Sequence, residues 1–247
     1  MTVLEVLQST TAYFKKRAIE SPRLNAEHLI AHSLGKKRIE LYLEFERALT
    51  EAELAPLREL VRRRGQGEPL QHLLGTVEFA DHVFVSDQRA LIPRPETEQL
   101  VEYVCDFQSP AAPRILDVGT GSGVIAMLAK KLGAGRVAAT ENDEVALNAA
   151  RQGAALNGLR DIEWHLAANP ADVPGRFRIV IANILLNTLE ELAPAIAGKV
   201  APDGRLVLSG LLSDQAQAAE RAYVAQGLRR VGRKDHDGWA RVELARA

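Results

Sequence analysis

The 247-residue sequence is poor in cysteine, in net charge and in long apolar runs, and each shortage excludes something. Its single cysteine, Cys105, can form neither an internal disulfide nor a cysteine-based zinc site, which fits a reducing compartment. Thirty-one Lys+Arg against 32 Asp+Glu leave a formal charge of −1, so no bulk electrostatic drive toward nucleic acid exists. No stretch of about eighteen apolar residues occurs, which excludes a membrane-spanning helix. Met1-Thr-Val-Leu-Glu5 lacks the basic region and apolar core of a signal peptide, so a cytoplasmic protein is expected. Internal repeats and low-complexity tracts are also missing. With 47% hydrophobic and 26% charged residues, the chain has the composition of an ordinary globular protein, one large domain or two modest ones.

What is present begins with helical punctuation. Thr2 and Glu5 form a candidate capping box, and Thr50 with Glu53 forms another. Ser21-Pro22 reads as an N-cap followed by proline at the first helical position. Leu24, Leu29, Ile30 and Leu34 continue that second helix to a stop at Gly35. Leu54, Leu57, Leu60 and Val61 carry a third helix past Pro56 to Gly65. Residues 1–75 therefore predict a small helical domain. Residues 76–113 predict a hairpin, Val83–Val85 against Ala90–Ile92 with a Ser86-Asp87 turn, then a helix Glu96–Asp106 and a proline-rich linker closing at Pro113.

From residue 114 on, strands and helices alternate. Strands are expected at Ile115–Val118, Val137–Thr140, Ile162–Leu166, Ile179–Ala182, Arg205–Ser209, Leu228–Gly232 and Arg241–Leu244. Helices are expected at Val124–Leu132, Asp143–Leu156, through Leu189 and Leu192, and at Gln215–Gln226. This alternation predicts an α/β domain, a largely parallel sheet with helices on both faces.

The strongest chemical signal is Asp117-Val-Gly119-Thr120-Gly121-Ser-Gly123, at a strand end and opening a helix. Glycines there let backbone approach a ligand closely. A dinucleotide fingerprint would place its third glycine at 124, which is Val. The G-x-G-x-G pattern resembles motif I of class I S-adenosylmethionine (SAM)-dependent methyltransferases instead. Glu141 ends the next strand, where a carboxylate can accept hydrogen bonds from both ribose hydroxyls. The six histidines suggest no metal site: His28 and His32 share a helix face but lack the Glu of H-E-x-x-H and a third ligand. Lys36-Lys37-Arg38 and Arg62-Arg63-Arg64 read as solvated helix ends, since cations favour helix C-termini.

Three further segments carry a more specific likeness. Gly67-Glu-Pro-Leu-Gln-His-Leu-Leu-Gly75, Glu78-Phe79 and Leu91-Ile-Pro-Arg94-Pro95-Glu-Thr-Glu98 closely resemble the release-factor glutamine methyltransferase family (HemK/PrmC). Leu24–Arg64 resembles that family's substrate-recognition domain. The resemblance implies a class I SAM-dependent methyltransferase domain, Rossmann-like, whose seven-stranded sheet has one antiparallel terminal strand, preceded by a small helical domain. It implies SAM as cofactor and class I peptide chain release factors as partners, methylated on the glutamine of their Gly-Gly-Gln loop. No membrane and no direct nucleic-acid binding are expected.

Carried over residue by residue, Asp117, Gly119, Thr120, Gly121, Gly123 and Glu141 would hold the cofactor, with Asn169 at the adenine edge. Asn183 would touch the cofactor and orient the acceptor nitrogen, and Phe79, Arg94, Pro95, Ile184, Leu185 and Leu186 would line the substrate path. The second half departs from the pattern. Asn183-Ile184-Leu185-Leu186 replaces the family's Asn-Pro-Pro-Tyr, Ala168-Asn169 stands where an Asp is usual, and Arg178 replaces another Asp. Ile181–Leu185 and Arg205–Leu212 resemble the ribosomal-protein amine methyltransferases (PrmA type). Two alternatives follow: amine methylation of a ribosomal protein, or a SAM-binding module without turnover.

Overall fold

The computed structural model describes residues 1–86, 92, 97, 100 and 112–246. The chain divides into two units, Met1–Val77 with Ser86–Gln88, and Glu78–Val85 with Arg89–Ala247.

The first unit is helical. Helix α1 (Val3–Lys16) opens on a complete capping box, the Glu5 N–H donating to Thr2 Oγ1 at 3.3 Å and the Thr2 N–H to Glu5 Oε2 at 2.9 Å. Helix α3 (Glu51–Gly65) repeats the device with Thr50 and Glu53 and runs through Pro56 to Gly65. Helix α2 (Pro22–Ser33) differs from expectation. Ser21 holds the N-cap position at φ 45°, a left-handed conformation, and makes no side-chain cap. Asn25 Nδ2 instead donates to the carbonyls of Glu20 and Ser21. A 3-10 turn (Arg38–Leu43) and the short α4 (Leu70–Leu74) complete the set. Phe14, Leu29, Ile30 and Leu57 are among its fully buried side chains.

Strands β1 (Thr76–Phe79) and β2 (His82–Val85) form a separate two-stranded sheet. The strand expected at Val83–Val85 is thus present, and among the described residues it pairs with the preceding segment. Ala80 and Asp81 turn the chain with φ 49° and 59°, the primed geometry that suits the twist of a tight hairpin. Neither is glycine, so the usual turn signal is missing. Ala90 and Leu91 lie outside the described residues, as do Glu96 and Cys105. Thr97 and Leu100 of the predicted helix are helical.

The second unit is built on seven strands. They are β3 (Arg114–Val118), β4 (Arg136–Glu141), β5 (Ile162–Leu166), β6 (Phe177–Asn183), β7 (Val200–Leu212), β8 (Arg229–His236) and β9 (Trp239–Ala245). Their order is β5-β4-β3-β6-β7-β9-β8, with β9 antiparallel to both neighbours and the other pairings parallel. Interior strands β3 and β6 are buried on both faces and correspondingly apolar, Ile115-Leu116 and Ile179-Val180-Ile181-Ala182. Helices α5 (Val124–Lys131), α6 (Glu144–Leu156), α7 (Leu186–Glu191), α8 (Ala193–Lys199) and α9 (Ala216–Val224) connect them.

Three boundaries depart from the expected ones. The helix through Leu189 and Leu192 is two helices broken at Leu192. Pro194 has no N–H to continue the ladder and fits only in a new first turn. Pro202-Asp203-Gly204 does not precede its strand but bulges within β7, where pairing jumps from Phe177–Val200 to Ile179–Arg205. The last two strands are longer than expected and meet at Asp237-Gly238, both at positive φ, a tight hairpin turn.

Candidate active site

Chain order reverses at β3: β4 and β5 lie to one side of it, and β6 returns to the other. A crevice forms at the carboxyl ends of strands at such a switch point, and ligands bind there in open α/β sheets. Two segments leave these ends side by side: Gly119–Gly123 from β3 and Ile184-Leu185 from β6.

The glycine loop is held from below and from one side. Thr120 N–H donates to the Thr140 carbonyl at 2.9 Å, and its hydroxyl to Asp117 Oδ2 at 2.5 Å. Asp117 is 1% exposed, and its Oδ1 has no hydrogen-bond partner of normal geometry among the described residues. Burial pushes this carboxyl up to about 6. The Thr120 hydroxyl and the Ala126 backbone N–H pull it down, while the charge of Glu141 adds to the rise. At the end of β4, Glu141 Oε2 accepts the Gly121 N–H at 2.8 Å. Its Oε1 accepts from Asn142 and Asp143 at 2.9 and 3.3 Å.

Two of the glycines are required by contact as well as by φ. A Cβ on Gly119 (φ 68°) would overlap Ile184 Cγ2. One on Gly123 (φ 77°) would meet Ala150 Cβ at 2.8 Å and Trp164 Cη2 at 2.9 Å. Gly119 therefore brings the loop against the β6 exit, and Gly123 seats α5 on its neighbours.

Two cavities flank this meeting point. The smaller, about 290 Å³, is lined by Gly119, Glu141 and Asn142, by Ala167, Ala168 and Pro170, and by Ile184, Leu185, Thr188 and Leu192. The larger, about 460 Å³, takes in Gly119–Ser122, Asn183–Leu185, Thr97, Ser209, Gly210, Gln215 and Trp239. Asn183 Nδ2 donates to Thr97 Oγ1 at 3.1 Å. Gly210 (φ 74°) backs the same residue: a Cβ there would come within 2.8 Å of Asn183 Oδ1.

Of the residues expected at the site, Gly119, Thr120, Gly121, Glu141, Asn183, Ile184 and Leu185 line one or both cavities. Five expected residues line neither. Asp117 braces the loop from beneath, and Gly123 packs under α5. Asn169 is exposed, its Oδ1 accepting the Ala171 N–H at 2.9 Å, while its neighbours Ala168 and Pro170 form the wall. Phe79 is a core side chain, 1% exposed, and Leu186 packs on the core beneath α7. Arg94 and Pro95 lie outside the described residues. Sequence reasoning missed Gln215 and Trp239, which reach the cavity from a helix start and a hairpin. Among the described residues no group of three His, Cys, Asp or Glu side chains is placed to hold a metal ion, and no helix is long and apolar enough to cross a membrane.

Comparison with known proteins addresses both units. The PrmC N-terminal domain model matches residues 5–75. A release factor glutamine methyltransferase of Chlorobaculum tepidum is 42% identical over 195 residues, covering 74% of this chain and 66% of the relative. One from Rhodopirellula baltica is 37% identical over 235 residues, covering 87% of this chain and 79% of the relative. The chain belongs to the release factor glutamine methyltransferase family. Its family likeness is composite, because the model for ribosomal protein L11 methyltransferase (PrmA) matches residues 96–247. The crystal structure of a ribosomal protein L11 methylase from Lactobacillus delbrueckii subsp. bulgaricus superposes with a TM-score of 0.57 at 32% identity, covering 61% of this chain and 78% of that one. The seven strands, with the last strand of the chain antiparallel to its neighbours, are those expected of the class I methyltransferase fold.

Proposed function

We propose that this member of the family methylates the side-chain nitrogen of the glutamine in the Gly-Gly-Gln loop of class I release factors, with SAM as the methyl donor, in the cytoplasm. The observation that carries the reading is Asn183. One of its Nδ2 N–H groups donates to Thr97, which holds the side-chain amide in place, and its Oδ1 is an acceptor on a residue that lines the larger cavity. An amide nitrogen is a poor nucleophile because its lone pair is delocalised. An acceptor that holds its N–H groups turns that lone pair in the direction of attack, and alignment is the main catalytic contribution in a methyl transfer.

The residues present fit the cofactor. The smaller cavity has one carboxylate and otherwise largely apolar walls, as an adenosine requires. Glu141 uses three of its roughly four acceptor positions on backbone N–H groups. The remaining one, on Oε2, and the weak 3.3 Å contact with Asp143 are where ribose hydroxyls would bind. Gly119, Thr120, Gly121 and Asn183 border the space for the methionine part. When bound, the cofactor supplies an electrophilic methyl group on a sulfonium.

The larger cavity has no ionisable side chain among its described lining residues. A glutamine amide suits such a pocket, since it is neutral and its nitrogen loses a proton readily to water once alkylated. A lysine arrives as a cation with a pKa of about 10.4 and must first be deprotonated. The helical unit, by its likeness to the PrmC N-terminal domain, would hold the release factor.

A second reading, methylation of ribosomal protein L11 on amines, is supported by the PrmA match over residues 96–247. Mass spectrometry after incubation with SAM and either a release factor or L11 separates the two. One methyl on the Gly-Gly-Gln glutamine, reduced about 10²–10³-fold by Asn183→Ala, is the expected result. Methyls only on L11 amines would replace the first reading by the second.

A further inference from the structure

We infer that Gln215 is a specificity-determining residue whose Nε2 donates to the carbonyl oxygen of the acceptor's side-chain amide; this rests on the glutamine reading above. Gln215 stands at the N-terminus of α9 and lines the larger cavity together with Asn183. Its side chain accepts the Leu212 backbone N–H at 2.9 Å. A backbone N–H can only donate, so the atom facing it is Oε1, and the orientation of the amide follows from the bond itself.

Nε2 is then left with two N–H groups and no hydrogen-bond partner among the described residues. A ligand that brings an acceptor to it gains a hydrogen bond, and one that covers it without an acceptor pays for leaving it unmade. Asn183 is the complement. One of its two N–H groups is engaged by Thr97, and its oxygen is the acceptor it offers. The cavity thus offers one acceptor, on the exit of β6, and one donor, between β7 and α9. A primary amide carries the matching pair, N–H and C=O, on a single planar group. A lysine or α-amine carries donors only and leaves Nε2 unpaired. Substrates lacking a hydrogen-bonding group that a site is built to receive are rejected more strongly than those differing in apolar bulk. The family's Pro-Pro-Tyr is replaced here by Ile-Leu-Leu, so selection of an amide would fall to Asn183 and Gln215 together.

The test is Gln215→Glu, which keeps an oxygen for the Leu212 N–H and the same shape but removes the donor. Steady-state methylation of a class I release factor should lose roughly ten- to a hundredfold in kcat/KM. The Kd for SAM and the melting temperature should stay near wild type, and any slow methylation of L11 amines should not fall. Gln215→Ala, which also strips the Leu212 N–H of its partner, should lose the same activity and melt lower. A Gln215→Glu enzyme within twofold of wild type on the release factor overturns the inference and leaves the glutamine reading standing. A SAM Kd weakened by the same factor as kcat/KM overturns it too, since Nε2 would then serve the cofactor. A wild-type enzyme that makes no methylglutamine removes the underlying reading, and this inference with it.

Discussion

At the scale of single residues, Asp117 shows how one side chain can leave a site and still shape it. Its carboxylate lies under the glycine loop and takes the Thr120 hydroxyl, while burial raises its pKa from 3.8 to about 6. The folded protein therefore holds this proton more tightly than the unfolded chain. The resulting stabilisation is complete below about pH 4 and is lost as pH rises through 6. Above that, ionised Asp117 costs on the order of 3 kcal/mol. Asp117→Asn keeps an acceptor for Thr120 and cannot ionise. Thermal melts should show it more stable than wild type at pH 8, with the gap closing below pH 4. An equal difference at both pH values would mean that packing, not charge, sets it. That an acid stands at the end of β3 is plain from the sequence. Whether its carboxylate faces the ligand or the floor of the loop depends on the backbone path of Gly119–Gly123, which no spacing rule contains.

At the scale of elements, the glycine loop joins β3 to α5 by using its glycines differently. Gly121 (φ 53°) has open space where a Cβ would go, whereas Gly123 is wedged between α6 and β5. An alanine at 121 bears only the left-handed backbone, about 1–2 kcal/mol. At 123 the overlap with Ala150 and Trp164 adds about 1–3 kcal/mol. Urea unfolding of the two variants should thus rank Gly123→Ala as clearly the less stable. Equal losses would show that Trp164 gives way freely.

The elements themselves were largely readable. Both capping boxes form, because a Thr and a Glu three residues on satisfy orphan N–H groups without help from elsewhere. The buried strands announced themselves as apolar runs. The β1–β2 hairpin was missed because Ala80 and Asp81 adopt positive φ without the residues that normally advertise it.

For the whole molecule, strand order matters more than any single motif. Return of β6 beside β3 sets Asn183 and Ile184 against the glycine loop, and insertion of β9 between β7 and β8 brings Trp239 to the same cavity. The two halves of the chain resemble two kinds of protein methyltransferase, so the pH dependence of the whole enzyme is diagnostic. Because a glutamine amide does not ionise, kcat on a release factor should be flat between about pH 7 and 9.5 under SAM saturation. An amine acceptor would give a rise of about tenfold per pH unit toward its pKa near 10.4. Initial rates measured across that range, a rise of this kind above all, would move the assignment to amine chemistry.

The sequence by itself determined the helical first unit, the alternating second unit, the glycine loop with its acid partner Glu141, and Asn183 at a strand end. These are local patterns, set by caps, periodicity and turn chemistry within a few residues. Only the tertiary structure decided which of them line a cavity. It placed Asp117, Gly123, Asn169, Phe79 and Leu186 away from the cavity walls and supplied Gly210, Gln215 and Trp239. Thr97 meets Asn183 across 86 positions of sequence. The physical reason is that a side chain's partners across a sheet depend on strand order and register. Those follow from burying all the apolar faces at once, a global condition that no short stretch of residues expresses.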